Sequence, residues 1–501
     1  MQTEEQGTGT ATQKENPLRA EKRRKLDQLK AAGIDPFPHN FERSHKLAEI
    51  DAKFSHLEAG DVLESEVVTI AGRLMTKRDM GKASFFNIQD QSGAMQGYVK
   101  VSELDEQSQT SFKLIDIGDF VGFKGHIFKT KKGQLSVHAH SFTVLCKSLE
   151  PLPEKYHGLT DVETKYRHRH LNLIMDTASR KVFETRSKII REIRNFLDGR
   201  GFLEVETPVL QPIYGGASAY PFKTHHRALD MELFMKISPE LYLKRLIVGG
   251  FEKVYEVGKN FRNEGIDRSH NPEFSMLEYY EAYTDYNYQM QQFEDLVNHL
   301  VQSVKGTLKF EYNGKEIDFT GPWRRLSVFD GIKEYAGVDV EAISDDELFK
   351  TIKSKGSTAD KPASRGEMIM ELFELTVEEH LWNPTFVIDF PKEVSPLTKS
   401  HRSKPGLVER FEPMAAKMEI GNAYTELNDP VDQRDRLMEQ EKKRVVDEEA
   451  QPMDEDFLHA IETGMPPTGG VGIGVERIVM ILTNQPSIRD IILFPTMKHK
   501  S

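Results

Sequence analysis

The chain has 501 residues, of which 38% are hydrophobic and 29% charged, with a net charge of −12. This length exceeds one ordinary core, so two or three domains are expected. No apolar run approaches the ~20 residues that a membrane span needs, and the polar N-terminus lacks the apolar centre of a secretion signal. The single cysteine, Cys146, excludes an internal disulfide and a cysteine-based zinc site. We therefore expect a cytoplasmic globular protein.

The first helical pattern carries positive charge. Residues 1–15 have the composition of a disordered tail, and Asn16 with Pro17 then predicts a helix that ends at Gly33. Residues 17–32 contain six Arg or Lys against two acids. Helical spacing directs Leu18, Leu26 and Leu29 inward, and Arg19, Lys22, Arg23, Arg24 and Lys25 outward. Such a helix either presents a solubilising surface or binds the phosphate backbone of a nucleic acid.

From about Val67 to Lys147 the pattern changes to five short β-rich pieces separated by polar turns. This spacing favours a small barrel of the OB type, whose exposed face often binds single-stranded nucleic acid. Cations, a ring and an amide suited to that role are present at Lys77, Arg78, Lys82, Phe85 and Gln96. Phe85 could equally belong to the core, because only one of the adjacent Phe85 and Phe86 can face inward.

The middle of the chain alternates helices with short extended pieces. A helix is predicted over 181–197, followed by the strand FLEVETPVL, which is interrupted at Pro208. A Gly215–Gly216 turn then precedes a helix that begins at Ser238 and Pro239 and carries Glu240 in its first turn. Residues 330–382 read as a helical insertion.

Two predicted strands joined by a polar loop, FRNEGIDRSHNPEF and its continuation SMLEYYEAYTDY, contain a cluster of charge. Alternation puts Arg262 and Glu264 on one face of a strand over Lys253–Glu264. The return strand puts Phe274, Met276, Glu278 and Tyr280 on one face by the same count. The hairpin is either a site for a charged, planar ligand or a solvated strand face.

The C-terminal part adds two acids, an arginine and a glycine-rich strand. Glu412 and Glu419 are seven residues apart, so one straight strand would point them oppositely, but Pro413 and the AAK segment indicate a turn between them. Gly470, Gly472 and Gly474 precede Arg477 in GVGIGVER. Arginines with paired acids suit a polyphosphate held by Mg²⁺. P-loop, dinucleotide-fingerprint, Ser-His-Asp and HExxH patterns are absent.

Three motifs occur in order behind the barrel: FLEVETP, FRNEG…HNPEF and GVGIGVER. With them the chain resembles a class II lysyl-tRNA synthetase over nearly its full length, and the class I motifs HIGH and KMSKS are absent. The resemblance implies an α+β protein in which an N-terminal OB-fold β-barrel precedes an antiparallel catalytic sheet flanked by helices. The expected divisions are an extension over 1–65, an anticodon-binding barrel over 66–147, a linker over 148–175 and a catalytic domain over 176–501.

The implied reaction has two steps. L-lysine and ATP give lysyl-adenylate and pyrophosphate, and the lysyl group then moves to the 3′ end of tRNA(Lys). A homodimer formed through the helix and strand ending at Pro208 is implied as well. The resemblance makes Arg262 and Arg477 catalytic and assigns the ATP and Mg²⁺ contacts. Arg262 contacts the α-phosphate, Glu264 the adenine amino group, Phe274 the ring, His270 and Arg477 the outer phosphates, Glu412 and Glu419 the Mg²⁺, and Asn271 lies in the same loop.

Residue chemistry favours lysine among the related substrates lysine, aspartate and asparagine. An aspartate pocket needs a cation, whereas an unpaired buried ammonium is very costly, so a lysine pocket should present carboxylates. The resemblance assigns Glu278 and Glu426 to the ε-ammonium, Glu240 to the α-amino group and Arg262 and Asn422 to the carboxylate, with Gly216 and Tyr280 nearby. Arg78, Phe85 and Gln96 become the expected anticodon readers.

Three alternatives stay open at this point. One is an aspartyl- or asparaginyl-type synthetase of the same subclass. Another is a ligase that attaches lysine to a protein, although such relatives lack the anticodon domain. The third is a non-catalytic tRNA-binding paralogue, which is expected to lose Arg262, Arg477 or the paired acids, and all of these are present.

Overall fold

A computed structural model describes residues 16–153, 161–358, 360–362, 364–443 and 452–498. The chain divides into two compact units, Met1–Gly158 and Leu159–Ser501. The predicted tail over 1–15 and part of the predicted linker lie outside the described residues. The domain boundaries given above remain a prediction.

The first unit contains, among its described residues, three α-helices, one 3-10 helix and five strands. The helices are α1 (Pro17–Ala31), α2 (Leu47–Phe54), the 3-10 helix Val101–Glu103 and α3 (Glu106–Leu114). The strands are β1 (Val62–Met80), β2 (Ala83–Gln89), β3 (Ala94–Lys100), β4 (Phe120–Lys129) and β5 (Leu135–Cys146).

The five strands close into a barrel in the order β1-β2-β3-β5-β4. Burial alternates along β2, where Phe86 and Ile88 lie in the core and Phe85 lies outside. Closure pairs every strand on both sides and removes the exposed edges that an open sheet would present. The predicted OB-type barrel is confirmed, and Phe86, rather than Phe85, is the core ring.

The basic helix α1 begins as predicted but turns a different face inward. The Asn16 side chain accepts a hydrogen bond from the Leu18 amide at 3.0 Å, as an N-cap does. Leu18 is 61% exposed, so its predicted inward position is wrong. Lys22 was expected outside but is buried, because its Nζ donates to the Ile117 carbonyl at 2.9 Å. Part of the positive face is therefore used inside the unit.

The second unit contains the remaining elements. Its helices are α4 (Val162–Arg167), α5 (Arg169–Met175), α6 (Thr177–Asp198), α7 (Glu240–Val248), α8 (Tyr286–Lys305), α9 (Val328–Ala336), α10 (Asp345–Ser354), α11 (Arg365–Thr376), α12 (Pro430–Lys443), α13 (Glu455–Thr463), α14 (Val475–Thr483) and α15 (Ile488–Ile491), with 3-10 helices at Glu378–His380 and Lys392–Val394.

Its strands are β6 (Leu203–Glu204), β7 (Leu210–Gln211), β8 (Lys223–His226), β9 (Met231–Met235), β10 (Lys253–Phe261), β11 (Glu273–Ala282), β12 (Lys309–Tyr312), β13 (Lys315–Asp318), β14 (Arg324–Ser327), β15 (Thr385–Pro391), β16 (Leu407–Ala415), β17 (Met418–Glu419), β18 (Gly421–Thr425) and β19 (Thr468–Gly474).

The main sheet of the second unit runs in the order β14-β15-β16-β18-β19-β11-β10-β6, with β17 paired to β16. Within this sheet, among the described strands, only the pairs β14/β15 and β10/β6 are parallel. Helices α6, α8 and α14 cover one face through a shared core that includes Ile193, Phe293 and Val479. The expected α+β architecture, with a mainly antiparallel sheet flanked by helices, is confirmed.

The predicted helical insertion corresponds to α9, α10 and α11. These helices share a core of their own, which includes Ile352 and Leu372 and extends to Val387 on β15. The insertion thus packs at the β14/β15 end of the main sheet. The candidate site lies over strands in the middle of that sheet, including β11 and β19.

Candidate active site

Strands β10 and β11 form the predicted hairpin, with Asn260 opposite Phe274 and Glu256 opposite Glu278. The first strand ends at Phe261, so its predicted extension to Glu264 is wrong. The Arg262 amide instead donates to the Pro272 carbonyl at 2.9 Å. This bond closes a loop over 262–272, and Arg262 and Glu264 project from the loop rather than from the strand.

A cavity of about 410 Å³ lies over the central strands. The β11 residues predicted to share a face, Phe274, Met276, Glu278 and Tyr280, all line it. Alternate β11 residues pair with glycines of β19, including Tyr280 with Gly470. A Cβ at Gly470 would lie 2.0 Å from Glu426 Oε1 and 2.4 Å from the Tyr280 ring. The glycine therefore allows these two side chains to converge.

One end of the cavity is a buried cluster of carboxylates. Glu240 from the first turn of α7, Glu278 from β11 and Glu426, which follows β18, are at most 5% exposed. Glu278 accepts hydrogen bonds from Ser238 Oγ at 2.7 Å and from the Tyr280 hydroxyl at 3.1 Å. We call Glu240, Glu278 and Glu426 the acidic cluster. The structure brings together the three acids that the sequence places up to 186 residues apart.

A fully buried lysine that the sequence reasoning missed compensates part of this charge. Lys244 lies one turn after Glu240 on α7, and its Nζ is 2.6 Å from Glu240 Oε1 and 2.5 Å from Glu426 Oε2. Glu426 Oε2 faces this ammonium, whereas Glu426 Oε1 has no hydrogen-bond partner in the described structure. Glu426 therefore retains capacity for a further cation.

Burial governs protonation in the acidic cluster. Burial, together with the charge of Glu240, raises the pKa of Glu278 to about 8. Burial also raises the pKa of Glu426 to about 8, against the opposing charge of Lys244. Burial alone would lower the pKa of Lys244, but the charges of Glu240 and Glu426 raise it by more. The net pKa is therefore above its usual value, and the ammonium persists. Near neutral pH the ligand-free cluster holds protons that an incoming cation would displace.

The other end of the cavity presents cations and a ring. Arg262 is half-buried, and its guanidinium lies 5.2 Å from the centroid of the Phe274 ring. Arg262 Nε and Asn271 Oδ1 are buried without a hydrogen-bond partner in the described structure. Buried polar atoms are normally paired, so these two atoms mark the position of a polar ligand.

Loop 262–272 also carries His270, one of the predicted phosphate contacts. His270 Nδ1 lies 2.8 Å from Asp267 Oδ2, and both residues are exposed. Although partial burial opposes it, hydrogen bonds from His270 and from loop amides lower the pKa of Asp267 to about 2. Glu264, also exposed, lines the cavity on the same loop.

The predicted turn between Glu412 and Glu419 is present. Strands β16 and β17 form a tight hairpin in which Ala416 and Lys417 have φ values of 54° and 66°, as a type I′ turn requires. Glu419 pairs with Met414, two residues from Glu412, so both acids face the cavity. Arg477 reaches the same end, where its Nη1 donates to the Glu419 carbonyl at 2.5 Å.

Arg410 is a second residue that the sequence reasoning missed. Its guanidinium bonds to Glu412, to Asn422 Oδ1 at 3.1 Å and to Ser395 Oγ at 2.9 Å. Asn422 is therefore held by a neighbouring cation, with its amide group facing the cavity. The signal in the sequence was alternation, because Arg410 and Glu412 lie on the same face of β16.

Arg78, Phe85 and Gln96, three of the predicted nucleic-acid residues, lie together on the outer face of the barrel, whereas the Lys77 amine donates to the Phe112 carbonyl at 3.2 Å. Arg78 is exposed and pairs across strands with Phe85, whose ring lies 4.9 Å from that of Tyr98. Gln96 lies on the same face of β3 as Tyr98, and its Oε1 accepts from Ser136 Oγ at 2.9 Å. A cation, two rings and an amide thus form one surface.

A mainly antiparallel sheet that carries this cavity, on a chain that also contains an OB barrel, has the architecture of class II tRNA synthetases. Residues 161–498 match the family described as tRNA synthetases class II (D, K and N), and residues 68–145 match the OB-fold nucleic acid binding domain.

Curated relatives narrow the family. The chain is 51% identical over 479 residues to a lysine–tRNA ligase of Syntrophomonas wolfei, covering 95% of this chain and 96% of the relative. It is 51% identical to that of Clostridium novyi, with 96% and 95% coverage, and 49% identical to that of Clostridium botulinum, with 99% coverage of both. The chain therefore belongs to the class II tRNA synthetases of this group and, within it, to the lysine–tRNA ligases.

Proposed function

We propose that this chain activates L-lysine with ATP and transfers it to tRNA(Lys), with the cavity as its active site. The observation that carries the proposal is the acidic cluster. With Lys244 charged and the three glutamates ionised, the cluster has a net charge of −2, which matches the two ammonium groups of lysine. An aspartate side chain would bring a third negative charge into a buried, anionic pocket, which is very costly.

The proposed contacts between the acidic cluster and the substrate lysine are assigned from the burial and position of each carboxylate. Glu278 and Glu426 receive the ε-ammonium at the closed end, with Tyr280 holding Glu278 in place. Glu240 receives the α-amino group near Gly216, whose φ of 83° suits glycine. Arg262 and Asn422 receive the carboxylate. A pocket that pairs and hydrogen-bonds a polar group can reject analogues lacking it by ~10⁴-fold or more.

The ATP contacts lie at the opposite end. Phe274 stacks on adenine, Glu264 accepts from its amino group and Asn271 lies in the same loop. Arg262 contacts the α-phosphate, and His270 and Arg477 hold the outer phosphates. The orphaned Nε of Arg262 supports this role, because its donor needs an acceptor. The lysine carboxylate attacks the α-phosphorus, the bond to the β-phosphate oxygen breaks, and pyrophosphate leaves; Arg262 aligns the two reactants and stabilises the developing charge.

Glu412 and Glu419 fit a role as Mg²⁺ ligands. Burial raises the pKa of Glu412 to about 7, and the charge of Glu419 adds to this against the opposing charge of Arg410. Burial and the charges of Glu374 and Glu419 likewise raise the pKa of Glu378 to about 7. Carboxylates that repel one another in this way are suitable oxygen ligands for a hard divalent cation. The bound ion would neutralise phosphate charge, while Arg410 holds Glu412 in place.

The barrel is the proposed anticodon reader. Phe85 supplies a stacking platform, Arg78 a phosphate contact and Gln96 a base-edge contact, which together suit a single-stranded loop. The exposed cations of α1 give a further contact with the RNA backbone. Lys22 has no part in that contact, since it is buried.

We further propose that the chain acts as a homodimer in the cytoplasm, where translation takes place. Three apolar side chains in or directly after the FLEVETP motif are each more than 40% exposed: Leu203, Val209 and Leu210. Exposed apolar side chains that are close together along the chain support an interface there. Among the described residues no helix is both long and apolar enough to cross a membrane.

Amino-acid-dependent exchange of pyrophosphate into ATP tests the proposal. Lysine alone among the twenty standard amino acids is expected to support exchange. Glu278→Gln is expected to abolish most of this activity, whereas Glu273→Gln, an exposed position on the same strand, should leave it intact. Exchange with aspartate or asparagine and none with lysine would contradict the assignment.

A further inference from the structure

We propose that His126, His138 and His140 form a binding site for a divalent transition-metal ion, with Zn²⁺ as the best-fitting ion, on the outer face of the barrel. The three imidazoles offer ligand atoms that all lie within 4.8 Å of one another. His126 Nδ1 and His140 Nε2 are 2.7 Å apart. Three histidines around one metal ion are an established zinc ligand set.

Backbone register places these side chains together. His126 on β4 pairs directly with His138 on β5. The register shifts between Lys124 and Gly125, where β5 contains His140 as an extra residue. Such a bulge re-aims a side chain, and here it directs His140 onto His126. A Cβ at Gly125 would lie 2.0 Å from the His138 carbonyl, so the glycine permits this close approach.

One ring nitrogen in the cluster faces a carboxylate. His138 Nε2 is buried, and Glu103 Oε2 lies 2.9 Å away in an ion-pair contact. The carboxylate either orients His138, as outer groups do in zinc sites, or offsets the charge of the ion.

The ligand type selects the ion. Imidazole nitrogens favour Zn²⁺, Cu²⁺ and Ni²⁺, whereas Mg²⁺ and Ca²⁺ prefer oxygen. Zn–N bonds of 2.0–2.1 Å place tetrahedral donors ~3.3 Å apart, so side-chain adjustments of about an ångström or less are sufficient. The site lies in the barrel unit, whereas the proposed active site lies in the second unit. It does neighbour the proposed RNA surface, because the His138 ring is 4.9 Å from that of Tyr98.

Cobalt titration of the full-length chain tests the site. After treatment with a chelator, Co²⁺ is added and its visible absorption is followed, then Zn²⁺ is used to displace it. The wild-type chain is expected to bind one equivalent with the strong bands of nitrogen-ligated, four-coordinate Co²⁺, which a six-coordinate oxygen site that includes Glu412 and Glu419 would not give. His140→Ala, at an exposed position, should weaken this binding by at least about tenfold, and the exposed control His56→Ala should not change it.

The outcomes separate the alternatives. Lysine-dependent exchange should be unchanged in His140→Ala, which shows that the catalytic unit is intact whatever the metal result. Absence of the bands in the wild-type chain, or equal Co²⁺ affinities in the wild type and His140→Ala, would overturn the proposal. Weakened tRNA charging in His140→Ala with unchanged metal binding would also overturn it, and would assign the imidazoles to RNA contact.

Discussion

Binding of L-lysine at pH 7 is expected to release about one proton. Glu278 has a pKa of about 8 in the ligand-free cluster, so it is roughly nine-tenths protonated at pH 7, whereas Glu426 already faces the Lys244 ammonium. The two ammonium groups of lysine pair with carboxylates, not with carboxylic acids. The Glu278 proton must therefore leave as the ligand enters.

The sign of the pH dependence follows from the same value. The pKa of Glu278 is raised in the free chain, so protonation of this carboxylate competes with lysine below pH 8. At pH 7 this competition weakens binding by about tenfold, and at pH 8 by only about twofold. The affinity for lysine should thus rise about fivefold between pH 7 and pH 8, while both amino groups of lysine remain protonated.

Isothermal titration calorimetry in buffers with different ionisation enthalpies measures the protons directly, as the slope of the binding enthalpy against the buffer enthalpy. Glu278→Gln removes one titrating group, so the slope should fall by about one proton and lysine should bind more weakly. Glu273→Gln, an exposed control, should reproduce the wild-type slope. Equal heats in all buffers, or an affinity that does not change from pH 6.5 to pH 8, would refute the reasoning.

Three further substitutions probe the site and the barrel. Lys244→Met leaves Glu240 and Glu426 uncompensated, and losing one partner of a buried ion pair costs about 3–5 kcal/mol of free energy. The KM for lysine in pyrophosphate exchange should rise at least 100-fold, with little change in the KM for ATP. Parallel changes in both KM values would indicate general misfolding. Gly470→Ala brings a Cβ to 2.0 Å from Glu426 and should reduce lysine activation, whereas Gly474→Ala, with its nearest atom at 3.8 Å, should not. Phe85→Ala should weaken tRNA charging and leave lysine activation nearly intact, and equal losses in both steps would exclude an anticodon role.

Alternation along β11 was sufficient to predict the floor of the cavity. A regular strand between two hydrogen-bonded neighbours has a strict period of two, so Phe274, Met276, Glu278 and Tyr280 share a face as expected. The turn between Glu412 and Glu419 was predictable for a similar local reason. Two residues at positive φ fit a hairpin too short for any other connection.

Features that depend on distant partners could not be predicted in this way. The Lys22 ammonium is buried because the carbonyls of Ile117 and Ser148, about a hundred residues away, accept its hydrogen bonds. Lys244 had a local signal, since it lies four residues after Glu240 on a helix face. Its second partner, Glu426, is 182 residues away along the sequence, and without that partner Lys244 reads as an ordinary surface ion pair.

Lys244 changes the physical account of specificity. Three buried glutamates without it would carry three negative charges, and neutralising all of them would require either more cations than lysine provides or a retained proton. With Lys244 in place, two charges remain for two ammonium groups, while Arg262 is left to meet the carboxylate. The Lys244 ammonium, which the fold holds in place, thus sets the positive charge that a substrate must bring. Shorter or singly charged amino acids leave a carboxylate of the acidic cluster unpaired or protonated. The resulting loss of binding free energy discriminates against them.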